Sequence, residues 1–348
     1  MNSAQNAPLS PKLTPNMGLK HRNTFGFEAY AELAYEMTAA EQLPAVVADI
    51  QGKNLSWRVL GGGSNVILPS SLPGATLLMN ILGQEILPSD ESNTIIAVGA
   101  GVNWHEFVEW TLEQNVPGLE NLALIPGTVG AAPIQNIGAY GVEVADYIDS
   151  IEAFDTKAHA FVTLSKEACR FAYRDSYFKQ YPEQYIVTKV VFKIPKTWMA
   201  RIYYADLAKQ FLDSKDKKSV SAQDIFKAVC AIRTHKLPDP KVIGNAGSFF
   251  QNPVVADTKF EALREQFPEI VSYPDRAGMR KLAAGWLIDQ CGFKGKTMGP
   301  VGVYQNQALV LVNHGDGTAK DILALAQTIQ DKVHNVFGID LEIEPNIF

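Results

Sequence analysis

The 348-residue chain is expected to fold as an α+β protein, because strand and helix signals mix without the strict β-α-β rhythm of a doubly wound sheet. Three segments carry that expectation. Ile95–Val98 is a β-branched run followed closely by a helix signal, and Tyr185–Ile194 is a longer β-branched run. A helical pattern from Thr318 to about Phe337 leads into a stretch of period two.

Ser56 to Leu68 reads as strand, glycine turn, strand, with Trp57, Val59 and Leu60 before the turn and Val66-Ile67-Leu68 after it. Ile95–Val98 runs into Gly99-Ala100-Gly101. Asn103 then suits an N-cap, with Glu106 three positions on. Trp104, Phe107, Val108 and Leu112 recur on one helical face, and Asn115 with Pro117 supplies the stop. Residues 122–141 are rich in Gly, Pro and Ala, which suits a loop pressed against a ligand. The polar stretch 213–221 is the expected domain boundary. Thr318 and Asp321 form a capping pair for the late helix, and Gly338 ends it. In the expected closing strand, Ile339, Leu341 and Ile343 face one side while Asp340, Glu342 and Glu344 face the other.

Composition narrows the function classes. A hydrophobic fraction of 47% and a charged fraction of 20% suit a soluble globular protein of more than one domain. No segment approaches the ~20 apolar residues of a membrane span. Residues 1–18 read as a polar, disordered tail without a secretory leader. Cys169, Cys230 and Cys291 give neither a disulfide framework nor a zinc signature, which fits a reducing cytoplasm. The six histidines lack metal-ligand spacing, so no metal is expected. A net charge of −6 offers nucleic acid no general attraction, and an anionic ligand must be held by local donors.

Gly61-Gly62-Gly63-Ser64-Asn65 has the composition of a backbone nest, in which bare N–H groups converge on an anion. On the turn alone a tight hairpin, in which three glycines are ordinary, is the favoured reading. The turn is neither a dinucleotide fingerprint, which must open a helix, nor a phosphate loop with Lys-Ser/Thr. A second small, apolar segment weighs against the plain hairpin: Ile125 to Pro133, containing Pro126, Gly127, Thr128, Gly130 and Ala131. A dinucleotide such as FAD has a diphosphate for the nest and a flat ring for such a wall.

Together, these segments resemble the UDP-N-acetylenolpyruvoylglucosamine reductases, flavoenzymes of peptidoglycan synthesis. The matching stretches are Asn23–Gly26, Gly61–Asn65, Ile125–Gly141 with Gln135–Gly141 at its core, Tyr173–Lys179, Lys236–Lys241, Gly244–Pro253, Ala283–Gln290, Gln307–Leu311 and Leu341–Glu344. They span the chain from about residue 19 in the family's order. Tyr203–Leu207 resembles the extra substrate-covering loop of the family's type I branch. In one departure, the chain stops four residues after Glu344, sooner than the family pattern.

The resemblance implies a two-part FAD-binding region of the vanillyl-alcohol-oxidase type plus a separate α+β substrate domain. The expected divisions are 19–82, 83–218 with 339–348, and 219–338. It also implies non-covalent FAD, NADPH as reductant, UDP-N-acetylglucosamine enolpyruvate as substrate, and a cytoplasmic monomer. Arg174 would hold the substrate carboxylate as charge develops, Ser248 would donate the proton, and Glu344 would act as the catalytic carboxyl. Gly61, Gly62, Gly63, Ser64, Asn65, Pro126, Gly127, Thr128, Gly130, Ala131, Gly138, Tyr140 and Gly141 would line the flavin. Tyr204, Lys236, Asn252 and Gln307 would hold the nucleotide sugar. Read without the resemblance, Arg174 pairs as well with Asp175 on the surface, Ser248 is a strand serine, and Glu344 is a solvated carboxylate. Two rival readings are an oxidase on the same flavin domains and a nucleotide-sugar binder without catalysis.

Overall fold

The computed structural model describes residues 10–212 and 220–348. They fall into two compact units. The first comprises the described parts of Met1–Met17, Ala31–Gly62 and Leu72–Arg233, and the second Gly18–Tyr30, Gly63–Ser71 and Thr234–Phe348. Both mix sheets and helices, so the α+β expectation holds.

In the first unit, one sheet orders its strands as Lys12–Gly18, Tyr30–Met37, Ser71–Met79 and Trp57–Leu60. A second orders Ala160–Ser165, Ile148–Asp155, Tyr185–Pro195, Asn93–Gly99 and Gln84–Leu87, all antiparallel neighbours. The helix Trp104–Glu113 starts as its sequence demands, the Asn103 side chain accepting from the Glu106 N–H. Asn115 follows in the left-handed region. The apolar stripe is buried: Trp104, Phe107 and Phe192 meet edge to face or tilted, and the Trp104 indole N–H donates to the Leu122 carbonyl at 2.9 Å. That bond ties the helix to the loop beyond it.

In the second unit, a four-stranded sheet orders Gly244–Ser248, Val310–Asn313, Val301–Val303 and Thr297–Met298. The helix Ala319–Phe337 buries Ile322, Leu325, Ala326, Ile329, Val333 and Phe337. Thr318 and Asp321 make the expected reciprocal capping box, and Gly338 ends the helix at φ 61°. Phe25, Phe27, Phe249 and Phe250 stack or meet edge-on at the centre of this core.

Four expectations differ from what is observed. The tail is shorter than 1–18, because Lys12–Gly18 forms the edge of a sheet, where Pro15 is tolerated without a ladder N–H. Trp57–Leu60 and Val66–Ile67 are not a hairpin: the first pairs in parallel with Ser71–Met79 and the second in parallel with Asn346–Ile347. Residues 339–344 keep the alternation, with Ile339 and Leu341 buried and Asp340 and Glu342 exposed, but form only one bridge, Phe250 to Ile343. Most of the expected boundary at 213–221 lies outside the described residues. The compact units divide instead at Arg233 and Thr234, and 339–348 groups with the second unit because its last residues pair with Val66–Ile67.

Candidate functional site

In the first unit, the two glycine segments touch. A Cβ on Gly61 would lie 2.7 Å from Thr128 Oγ1, and one on Gly62 would lie 3.1 Å from Gly127 Cα. Only bare backbone fits there. The second segment is pinned from behind: Trp104 N–H donates to the Gly127 carbonyl, Val129 N–H to Val102, and Gly130 N–H to Ala100. A side chain on Gly130 would collide with Ala100. Val129 and Gly130 are therefore buried, while Pro126 and Ala131 face outward.

The same stretch continues into a hairpin, Gly138–Ala139 against Val142–Glu143. Its two tip residues, Tyr140 and Gly141, have φ 49° and 79°, the signature of a tight turn with both central residues left-handed. Tyrosine is unfavourable there, so its neighbours hold it. Asn121, 1% exposed, donates to the carbonyls of Tyr140 at 3.1 Å and Arg201 at 2.7 Å. The Tyr140 ring meets that of Tyr204 edge-on at 5.3 Å. Burial raises the Tyr140 phenol above its ordinary pKa, so it stays neutral.

Arg174 reaches this hairpin. Its Nη2 donates to the Gly138 carbonyl at 2.9 Å, and Nη1 lies 3.5 Å from the Asn136 carbonyl. Asp175 is otherwise engaged, accepting from the Ser176 N–H and the Gln180 side chain. Buried Asn136 is the fixed point beneath, donating to Glu143 at 2.8 Å and to the Ala172 carbonyl at 3.0 Å while accepting from the Ala145 N–H.

In the second unit, backbone bonds stitch Gly63–Asn65, Ser248 and Glu344 into one framework. Thr24 N–H donates to the Gly63 carbonyl, and Asn245 N–H donates to the Thr24 carbonyl, both at 3.0 Å. Gly63 has φ 62°, and a Cβ would strike the Arg22 carbonyl. Asn346 N–H donates to Asn65, while Glu344 N–H donates to Phe249, the residue after Ser248, at 2.9 Å. Ser248 ends its strand opposite Val310, just past a register shift at Ala246-Gly247, with Gly247 at φ 70°. Such a shift turns a side chain out of the regular alternation.

The nucleotide-sugar candidates of this unit sit at element ends. Lys236 closes the helix Ala222–Lys236, and the next turn is tied back by Asn245, which donates to the Pro238 carbonyl at 3.1 Å. Asn252 Oδ1 accepts from the Ala284 N–H at 2.9 Å, which fixes its amide and makes its NH₂ group the remaining donor. Gln307 Oε1 lies opposite Gly285, where a Cβ would approach to 2.9 Å. Among the described residues, no group of three or more His, Cys, Asp or Glu side chains is arranged to hold a metal ion.

The donor set suits FAD. The glycines let two main-chain segments pack against each other with no side chain between them, the close backbone approach that a dinucleotide site uses. Asn121 and Asn136, which hold the backbone of the hairpin, were missed by sequence reasoning: a buried Asn carries no periodic signal. Membership in the Gln-Asn-Ile-Gly motif was the one available hint for Asn136.

Comparison with known proteins gives the family and the fold. Residues 31–163 match the FAD binding domain family, and residues 239–348 match the UDP-N-acetylenolpyruvoylglucosamine reductase C-terminal domain. The UDP-N-acetylenolpyruvoylglucosamine reductase of Polynucleobacter asymbioticus is 69% identical over 347 residues, covering 100% of both chains. That of Paraburkholderia phymatum is 49% identical, covering 97% of this chain and 98% of its own. The crystal structure of UDP-N-acetylenolpyruvylglucosamine reductase from Thermus caldophilus superposes with a TM-score of 0.64 at 24% identity, covering 97% and 98%. A vanillyl-alcohol-oxidase-type flavoprotein from Myceliophthora thermophila gives 0.50 at 12% identity, covering 92% and 73%, so the fold is that of this flavoprotein class. The chain belongs to the UDP-N-acetylenolpyruvoylglucosamine reductase family and is an FAD-dependent oxidoreductase.

Proposed function

We propose that the protein reduces UDP-N-acetylglucosamine enolpyruvate to UDP-N-acetylmuramate with electrons from NADPH, in peptidoglycan precursor synthesis, as a cytoplasmic monomer. The observation that carries the reading is the backbone framework joining Ser248 to Glu344, two chemically apt residues that the sequence keeps far apart.

FAD, when bound, would supply hydride-transfer chemistry between NADPH and the substrate's alkene. The chain's own residues manage the developing charge and the proton. Charge moves onto the carboxylate side of the substrate, where the Arg174 fork stabilises it. Glu344 would act as the catalytic carboxyl there, donating a hydrogen bond to the developing charge when protonated. The Ser248 hydroxyl gives its proton to the neighbouring carbon, which completes addition of one hydride and one proton across the double bond. Water exclusion makes the alcohol a competent acid toward an enolate carbon. Gly61–Asn65 would hold the cofactor diphosphate, and Pro126–Ala131 with Gly138–Gly141 would line its ring. Lys236, Asn252, Gln307 and Tyr204 would hold the nucleotide sugar.

The test is a pair of anaerobic half-reactions on the purified yellow protein. NADPH should bleach the flavin, and the enolpyruvyl nucleotide should restore its colour. Bleaching without restoration would assign a different oxidised substrate, and colourless protein that takes up no FAD would end the reading.

A further inference from the structure

One buried side-chain amide in the first unit joins two stretches of backbone that lie far apart in the chain. Asn121 Nδ2 donates to the Tyr140 carbonyl at 3.1 Å and to the Arg201 carbonyl at 2.7 Å. Two carbonyl partners require the nitrogen end of the amide, and they take up both of its donors. Asn121 belongs to the buried turn Glu120–Leu122, and Glu120 beside it grips the same later stretch. One Glu120 carboxyl oxygen accepts from the Trp198 indole N–H and the other from the Gly118 N–H, both at 2.6 Å.

That later stretch needs such ties. Residues 196–204 have no regular secondary structure and lead from the strand Tyr185–Pro195 to the helix Ala205–Leu212. Leu207 docks the helix by complete burial, which is favourable but non-directional. Tyr204 opens the helix, its carbonyl accepting from the Leu207 and Ala208 N–H groups at 2.9 and 2.8 Å. Arg201 stands three residues earlier, and its guanidinium pairs with Asp146 at 2.8 Å and lies over the Tyr147 ring. That ion pair is exposed and fixes little, so the buried bonds of Glu120 and Asn121 give the stretch more direction. The Tyr204 ring meets the Tyr140 ring edge-on at 5.3 Å, and Tyr204 is 36% exposed, so a ligand can reach it. Asn121 thus holds the carbonyl of one tyrosine and the approach to the other.

We infer that Asn121 is a positioning residue: its amide sets the Tyr204 ring against the Tyr140 ring at the hairpin tip, in place for the nucleotide sugar. The inference rests on the reading of Tyr204 under Proposed function and adds the group that orients it. A contact already ordered costs a ligand less entropy to engage than one that must be fixed on binding. Asn121 therefore acts on nucleotide affinity through Tyr204 rather than by direct contact.

The test is a double-mutant cycle on the full-length, flavin-loaded protein, with Asn121→Ala, Tyr204→Ala and the pair beside the wild type. The dissociation constant of the enolpyruvyl nucleotide with oxidised enzyme is read by spectral titration. Asn121→Ala and Tyr204→Ala should each weaken binding about tenfold, and the pair no more than Tyr204→Ala alone. Multiplied losses in the pair, or wild-type affinity in Asn121→Ala, overturn the inference. Hydrogen exchange without nucleotide supplies a second readout. In Asn121→Ala the amides of Ala205–Leu212 should exchange about tenfold faster, while those of Tyr185–Pro195 keep wild-type rates. Unchanged exchange in Ala205–Leu212 overturns the tether. If Asn121→Ala fails to fold or to hold FAD, Asn121→Ser, which keeps one donor, decides by the same two measurements. Wild-type affinity in Tyr204→Ala would sink the parent reading of that residue and the inference with it. A wild type that binds no enolpyruvyl nucleotide would sink the parent reading alone, and hydrogen exchange would still judge the tether.

Discussion

Arg174 Nη2 donates to the Gly138 carbonyl at 2.9 Å, and a Cβ on Gly138 would lie 3.2 Å from Arg174 Nη1 and 3.0 Å from the Val142 carbonyl. The glycine sets where the arginine stands. Gly138→Ala should displace the guanidinium by a fraction of an ångström without unfolding the hairpin. Misplacement on that scale is expected to slow substrate-driven flavin reoxidation by ~10–10²-fold, with little change in thermal stability. Stopped-flow reoxidation and a melting curve check it. Full activity would show that Arg174 is not the group that meets developing charge.

Ser248 stands just past a register shift and beside Phe249, which accepts the Glu344 N–H. Removing its hydroxyl should leave the NADPH half-reaction near the wild-type rate. The second half-reaction should slow by ~10²–10⁴-fold, the usual contribution of a positioned proton donor. Equal losses in both halves would assign Ser248 a structural role.

Local chemistry was legible and long-range pairing was not. Asn103, Thr318, Asp321 and Gly338 act where their sequence context places them, because caps depend on a few adjacent residues. The bare glycine segments were visible for the same reason. Nothing local announces that Val66–Ile67 pairs with Asn346–Ile347 rather than with Trp57–Leu60. The hairpin alternative for Gly61–Asn65 is excluded by the partner strands, Ser71–Met79 for Trp57–Leu60 and the distant Asn346–Ile347 for Val66–Ile67. The late alternation gave the buried side at Ile339 and Leu341, while the pairing of this segment is a single bridge from Ile343 to Phe250. The bond from Arg233 Nε to the Leu124 carbonyl was illegible for the same reason, since only the fold brings the two together.

Gly141 isolates the cost of the hairpin's backbone. It sits at φ 79°, and an added Cβ would meet nothing within 4 Å. Gly141→Ala therefore introduces no clash, and its effect is conformational alone. It should destabilise the protein by about 1 kcal/mol, read as a lower denaturant midpoint with an unchanged m-value. An unaffected midpoint would mean that the tip relaxes to another turn, and the Tyr140–Tyr204 contact should then be lost.

Alkaline stability depends on three buried neutral groups in the first unit. Burial raises Cys169 from 9.0 to about 12. Burial raises Tyr35 from 10.0 to about 12, helped by its hydrogen bond to Asp49 at 2.7 Å. Burial does the same to Tyr147, with Glu120 and Asp146 adding to it against the opposing charge of Arg201. Between the unfolded and folded pKa values, the native state holds protons that the unfolded chain has released. Stability is therefore full below about pH 9 and declines as pH rises toward about 12. Denaturation midpoints taken from neutral to alkaline pH should show this decline. Tyr147→Phe, which removes one of the three titrating groups and keeps the ring beneath Arg201, should make it shallower. A wild-type midpoint that is flat across this window would mean that these groups ionise without resisting the fold.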